Sequence, residues 1–407
     1  MKKLFVWLSC LILFSGCAPT PVNVLSGGSG RLSQLSKESL SQKHIDAYWD
    51  LSVNLYEKLR KSDENTFISP TSIFLALSMT LQGASENTLI QMKQALSLEG
   101  MSDEEITEFA YRLQSYLLFA KTTRLELSNS LWIREGFSED VQADFIQKNK
   151  DFFGAYVASL NFSDTTASKT INDWVKKNTQ GLIEKIVPEN IPELTVMYLI
   201  NTLYFKADWA VPFKKEHNEA WDFNGRSVTM MRQESTFPYL ETDDVQAIWL
   251  DYKNGEHGMV VILPKEGKTL TSLIITEVSQ SIMDAPLTRV RLRLPKMDVS
   301  YEDKLNEALI ELGMVDAFDG EKANFTAMSS KALDLGLHIS SVVHKTVLKV
   351  DEKGTEAAAA TSVEMGVTSM PIDDFVNMTV DRSFFVSLLD AQYQLPIFMG
   401  FITDPMP

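Results

Sequence analysis

The order in which two apolar periodicities follow one another limits the fold of this chain more than any other feature. Helical spacing dominates the first 180 residues, as in 42–61, where Ile45, Trp49, Val53, Tyr56 and Leu59 lie three or four apart. Further helices are expected at 71–82, 86–97, 103–120 and 168–179. Ser85 is placed to cap the second of these four. Asp103, Glu104 and Glu105 suit the positive end of the third, and Gly181 stops the last. Strand-like stretches lie at 124–133, 195–206, 244–250, 258–264, 288–299, 337–350, 383–389 and 395–402. In one of them Val290, Leu292 and Leu294 alternate with Arg291, Arg293 and Pro295, the pattern of a strand with one wet face. Helices early and strands late argue for an α+β fold rather than repeated βαβ units. No internal repeat is present.

The chain has 407 residues, a length that suggests two or three domains. Its 54 acidic side chains outnumber 38 basic ones, which argues against nucleic acid as a partner, because binding to phosphate depends on Lys and Arg. Both cysteines, Cys10 and Cys17, stand at the extreme N-terminus, so the body has no disulfide and no thiolate metal site. Motifs for a nucleophile elbow, a zinc helix or a phosphate loop are missing. His338 and His344, six apart on an expected strand, share a face; a buried, hydrogen-bonded role is expected for His344 rather than a metal pair. No cofactor or metal is called for.

Residues 1–16 read as a signal peptide: Lys2 and Lys3, then an apolar run from Leu4 to Phe14, then small residues. Leu13-Phe14-Ser15-Gly16-Cys17 resembles a bacterial lipobox, which implies cleavage before Cys17 and its acylation. Acyl chains would hold the chain to a membrane of a bacterial envelope, the outer membrane being expected. Residues 17–41, with Pro19, Pro21, Gly27, Gly28 and Gly30 among serines, read as a flexible tether. A coil of ~24 residues spans roughly 27 Å. The body of the chain, 42–407, follows.

One segment fits neither periodicity. From Thr355 a row of small or apolar residues (Ala357, Ala359, Thr361, Val363, Met365, Val367) alternates with one of small or charged residues (Glu356, Ala358, Ala360, Ser362, Glu364, Gly366). This is the pattern of a strand, and at thirteen residues it would be on the order of 43 Å long. Yet four consecutive alanines favour helix and give a sheet little to hold. Their side chains lose almost no entropy on burial, so such a segment can enter a packed interior without reshaping it. A permanent strand and an Ala-rich surface helix are the alternative readings.

Gly354-Thr355-Glu356-Ala357-Ala358-Ala359-Ala360-Thr361, preceded by Glu352, resembles the hinge of inhibitory serpins. The resemblance runs from about residue 45 to 405. It takes in the stretches 65–73, 129–132, 171–175, 201–209, 294–296, 312–318, 344–345 and 398–400. It implies one domain of three β-sheets and about nine helices, with a reactive loop over 354–374 presented to a target protease. Once acylated, the loop would insert as a new central strand of the largest sheet and carry the protease with it, an instance of strand addition. Residue roles are implied likewise. Gly354 begins the hinge and Thr355 is the first side chain to be buried. Ser69, Ser72, Asn201 and His344 form a polar shutter. Trp209 marks the breach, where Lys296 pairs with Glu352.

The family spacing places the cleaved bond at Thr368-Ser369, with Val367-Thr368 second and Ser369-Met370 third. No Arg or Lys lies between Lys353 and Arg382, so elastase-like serine proteases are the expected targets, with a papain-like cysteine protease as the other option. Arg112 and Lys121 are the only bases of a largely acidic 101–121, so no heparin-like activator is expected. The protein is expected to be a monomer and not an enzyme. A non-inhibitory carrier is the alternative function.

Overall fold

The computed structural model describes residues 23–27, 39–119, 123–253, 255–355 and 375–406. Outside the described residues lie Cys17 and the loop positions Ala357, Ala358, Ala359, Ala360, Thr361, Val367, Thr368, Ser369 and Met370.

Eight α-helices occur among the described residues: α1 (Gln42–Leu59), α2 (Pro70–Leu81), α3 (Glu86–Ala95), α4 (Asp103–Leu118), α5 (Ala143–Phe153), α6 (Thr165–Asn178), α7 (Ser272–Ser281) and α8 (Asn306–Glu311). Side chains set several of their starts. Ser69 accepts from the Ser72 amide ahead of α2, with Pro70 in the first turn, and Ser102 and Glu105 form a reciprocal capping box on α4. Ser85 occupies the N-cap of α3 but makes no capping bond. Its Oγ instead accepts from Thr326 Oγ1 at 3.0 Å. α2 is buried along almost its whole length and packs against the sheet systems on either side of it.

The main sheet runs β1 (Asn23–Gly27), β4 (Tyr156–Leu160), β3 (Arg124–Arg134), β5 (Met197–Asp208), β13 (Gly354–Thr355), β12 (Val343–Val350), β11 (Met297–Lys304). A second sheet contains β6 (Glu219–Phe223), β7 (Arg226–Glu241), β10 (Leu287–Pro295) and β14 (Val376–Thr379). A third contains β8 (Val245–Asp251), β9 (His257–Pro264), β15 (Phe384–Asp390), β16 (Pro396–Ile402) and β2 (Thr66–Ile68). β7 joins these two. It pairs with β6 from Arg226 to Met230, with β10 from Met230 to Pro238, then with β8 from Tyr239 to Glu241. β9, β15 and β16 are buried at every position, as strands covered on both faces are. Among the described residues no helix is long and apolar enough to cross a membrane.

The structure corrects three expectations. The stretch 288–299 is two strands in two sheets. β10 ends at Pro295, which lacks the N–H a ladder needs, and β11 begins at Met297. The strand expected over 337–350 starts only at Val343, so His338 lies outside it and does not share a face with His344. The tether is not wholly coil, because Asn23–Gly27 pairs antiparallel with the outer edge of β4, from Asn23 opposite Ser159 to Gly27 opposite Tyr156. Any extended segment can satisfy the unpaired groups of an edge strand, so side-chain periodicity gave no sign of it.

Candidate functional site

The main sheet contains a slot. β5 and β12 are neighbours only through the two residues of β13, and no ladder joins them directly among the described residues. Phe205 of β5, Thr346 and Leu348 of β12, Phe67 and Phe398 of the third sheet, and Ile183 beyond α6 line a cavity of about 30 Å³ there. Space of that size holds no more than a water or two. Below β13, the facing edges of β5 and β12 are therefore unpaired with one another.

β13 closes one end of the slot. Gly354 pairs with Asp208, and Thr355 pairs with Ala207 on one side and Val350 on the other. A Cβ at position 354 would lie 2.0 Å from the Ala207 carbonyl oxygen, so only glycine permits this approach. Thr355 is buried, and its Oγ1 lies 2.5 Å from the hydroxyl of Tyr252. The turn before β13 is anchored by Trp209. Its backbone N–H donates to Lys353 O and its indole N–H to Asp351 O, at 2.7 and 3.0 Å. Lys296 Nζ meets Glu352 Oε1 at 2.6 Å, and Asn218 donates to the same oxygen. Burial pushes the Glu352 carboxyl up, but the bonds from Lys296 and Asn218 outweigh it and hold it below the usual carboxylate range. The structure thus brings Trp209, Lys296, Glu352, Gly354 and Thr355 into one cluster.

Further along β12, the Ser69 amide donates to His344 Nε2 at 3.0 Å. Ser69 Oγ donates to Ile397 O and accepts from the Ser72 amide. Asn201 is not bonded to this group. Its Nδ2 donates to Asn129 Oδ1 at 2.8 Å, and Asn129 in turn donates to Gln114 of α4. Among the described residues its own Oδ1, which is buried, has no partner. Ser69, Ser72 and His344 therefore form one network between β12 and the start of α2, and Asn201 belongs to a second one.

A family model described as serpin, serine protease inhibitor, matches residues 46–405. The chain belongs to the serpin family. An uncharacterised serpin-like protein of Thermococcus kodakarensis is 31% identical to it over 380 residues, 91% of this chain and 87% of the other. Human serpin B3 is also 31% identical, over 90% of this chain and 100% of its own. Among solved structures, the native state of the thermophilic serpin tengpin superposes with a TM-score of 0.80 at 32% identity, covering 93% of this chain and 100% of that one. Thyroxine-binding globulin in complex with thyroxine gives 0.76 at 26% identity, over 90% and 100%.

In this serpin His344 is a neutral imidazole, because Nε2 serves as an acceptor and burial lowers its pKa to about 4. Burial does the same to His257, whose Nδ1 lies 3.0 Å from Thr123 Oγ1. A histidine whose folded pKa lies below its unfolded value stabilises the fold fully above about pH 6.5. That contribution is lost as pH falls toward 4, because the unfolded chain then binds the proton more readily. Between pH 7 and 5 each of the two is expected to cost about 2 kcal/mol of stability. Urea unfolding at both pH values for the wild type and His344→Gln checks this. The variant should lose less stability on acidification by about that amount, and equal losses would contradict the assignment.

Four contributors to the serpin's slot escaped sequence reasoning: Tyr252, Asn218, Thr346 and Phe213. Thr346 Oγ1 donates to Phe67 O, and the Phe213 amide donates to Glu352 O. None of the four stands in a pattern that singles it out, and each meets its partner across a long stretch of chain.

Proposed function

We propose that this serpin is a suicide-type inhibitor of serine proteases with elastase-like specificity. The slot seeded by Gly354 and Thr355 carries the reading: a strand has begun, its two neighbours stand ready, and the residues that would continue it are small and alternate. The target's serine Oγ attacks the carbonyl carbon of Thr368, the bond to Ser369 breaks, and the new amine leaves with a proton. The acyl ester formed is the ordinary intermediate of such enzymes. Continuing the register of β13 along β5 would bring Met365 level with Met197, at the far end of that strand. The protease, linked three residues beyond, would be drawn the length of the sheet before water releases it. Shutter and breach would govern where the sheet parts.

Incubation with elastase followed by denaturing electrophoresis tests this. The inhibitor gives a covalent adduct of the protease with the chain up to Thr368, short of the summed mass by the released C-terminal piece. A carrier, which the likeness to thyroxine-binding globulin keeps as the second reading, gives only a nicked chain. We also propose that Cys17 is acylated and holds the protein to a bacterial envelope membrane. Only residues 18–22 separate it from β1, a reach of ~20 Å, so the domain would ride close to the lipid. The full-length protein should partition into detergent, and Cys17→Ala should leave it in the aqueous phase. Equal partition of the two would remove the anchor.

A further inference from the structure

Tyr252 carries a contact that the pairing of β13 does not require. The residue lies between β8 and β9, is 1% exposed, and forms an isolated bridge with Trp209. Its ring stacks on Trp209 at 4.7 Å, almost parallel, and meets Phe205 edge-on at 5.3 Å. The phenol is thus fixed on two sides by aromatic rings from β5 and the residue that follows it. Its hydroxyl is the one part free to select a partner, and the partner is Thr355 Oγ1. Burial holds its proton far above the ordinary titration range, so the group remains an uncharged donor and acceptor.

Thr355 is the last described residue of β13 and the point from which any longer strand would grow. Growth by successive pairing is limited by its first step, in which backbone freedom is lost before many hydrogen bonds are gained. Here that step is already complete in the uncut chain. We propose that Tyr252 is a positioning residue for loop insertion: its hydroxyl keeps Thr355 seated between β5 and β12, so that a cut loop enters from a formed nucleus. This rests on the insertion reading given above.

Tyr252→Phe retains the ring and its stacking but leaves Thr355 Oγ1 buried and unpaired; Thr355→Val does the converse. Either should raise amide exchange at Gly354 and Thr355 about tenfold in the free protein, where no protease is needed. Either should also slow the change in tryptophan fluorescence that follows nicking of the loop by a protease the chain does not trap. The double variant loses the same single bond and leaves no orphaned group, so its effect on both readouts should be no larger than that of either single variant. A residue that merely supported the fold would show effects that add. Unchanged exchange in Tyr252→Phe, or single effects that simply add in the double variant, would overturn the proposal. If nicked wild type shows no fluorescence change and no gain in melting temperature, insertion itself fails and the role of Tyr252 fails with it. Altered exchange together with an unaltered insertion rate would overturn the role of Tyr252 alone.

Discussion

Thr355→Arg is expected to turn the inhibitor into a substrate. Thr355 is 5% exposed, lies between Ala207 and Val350, and has its hydroxyl on a fully buried tyrosine. A guanidinium at that site meets a cluster whose carboxylate, Glu352, is already bonded to Lys296 and Asn218. Leaving water for such a site costs a cation several kcal/mol even after relaxation. A penalty of about 3–4 kcal/mol on the first step slows insertion by roughly two to three orders of magnitude. Hydrolysis of the acyl-enzyme would then win. Electrophoresis should show a nicked chain in place of the adduct, and the amount of serpin consumed per protease should rise about tenfold or more. Unseating the hinge of the uncut variant gives up only the two-residue β13 and the bond to Tyr252, so its melting temperature should fall by no more than a few degrees. An unchanged stoichiometry would count directly against insertion.

Much of this site could be read in the sequence because insertion needs composition as well as shape. A segment that crosses from solvent to interior is forced toward small side chains, and under the proposed insertion the Ala run from 357 to 360 would be its trace. The pairing of Lys296 with Glu352 was implied by the family likeness, and the structure places the two at 2.6 Å. Apolar spacing located α1 through Trp49 and Tyr56, both of which are buried.

Other features left no trace in the sequence, for physical reasons. Gly354 shows no positive φ and marks no turn; its need for glycine comes from the Ala207 carbonyl, almost 150 residues away along the chain. Tyr252 and Thr355 are 103 residues apart and meet only once the main and third sheets are packed together. β7 was not anticipated because Met230 and Met231 are both buried where the strand changes partners, which breaks its alternation. β1 depends on the free edge of β4 rather than on its own side chains. Local periodicity reports which face of an element is covered, and it is silent about long-range partners and about backbone that approaches backbone.

The second large effect expected is thermal. Among the described residues, the facing edges of β5 and β12 below β13 have no common neighbour, although β5 alone runs for 12 residues. A strand laid between them would form ladder hydrogen bonds on both sides, each worth about 1 kcal/mol net. Ten or more such bonds should raise the melting midpoint of a chain this long by at least roughly 10 °C. The uncut chain would be held from that arrangement by a barrier rather than by equilibrium, so both forms need the same heating rate. The decisive measurement is therefore a pair of melting curves, one for the intact protein and one for protein cut once within residues 356–374. The mechanism requires the cut form to melt well above the intact form. Coincident midpoints would mean that cutting liberates no strand, and the inhibitory account could not stand.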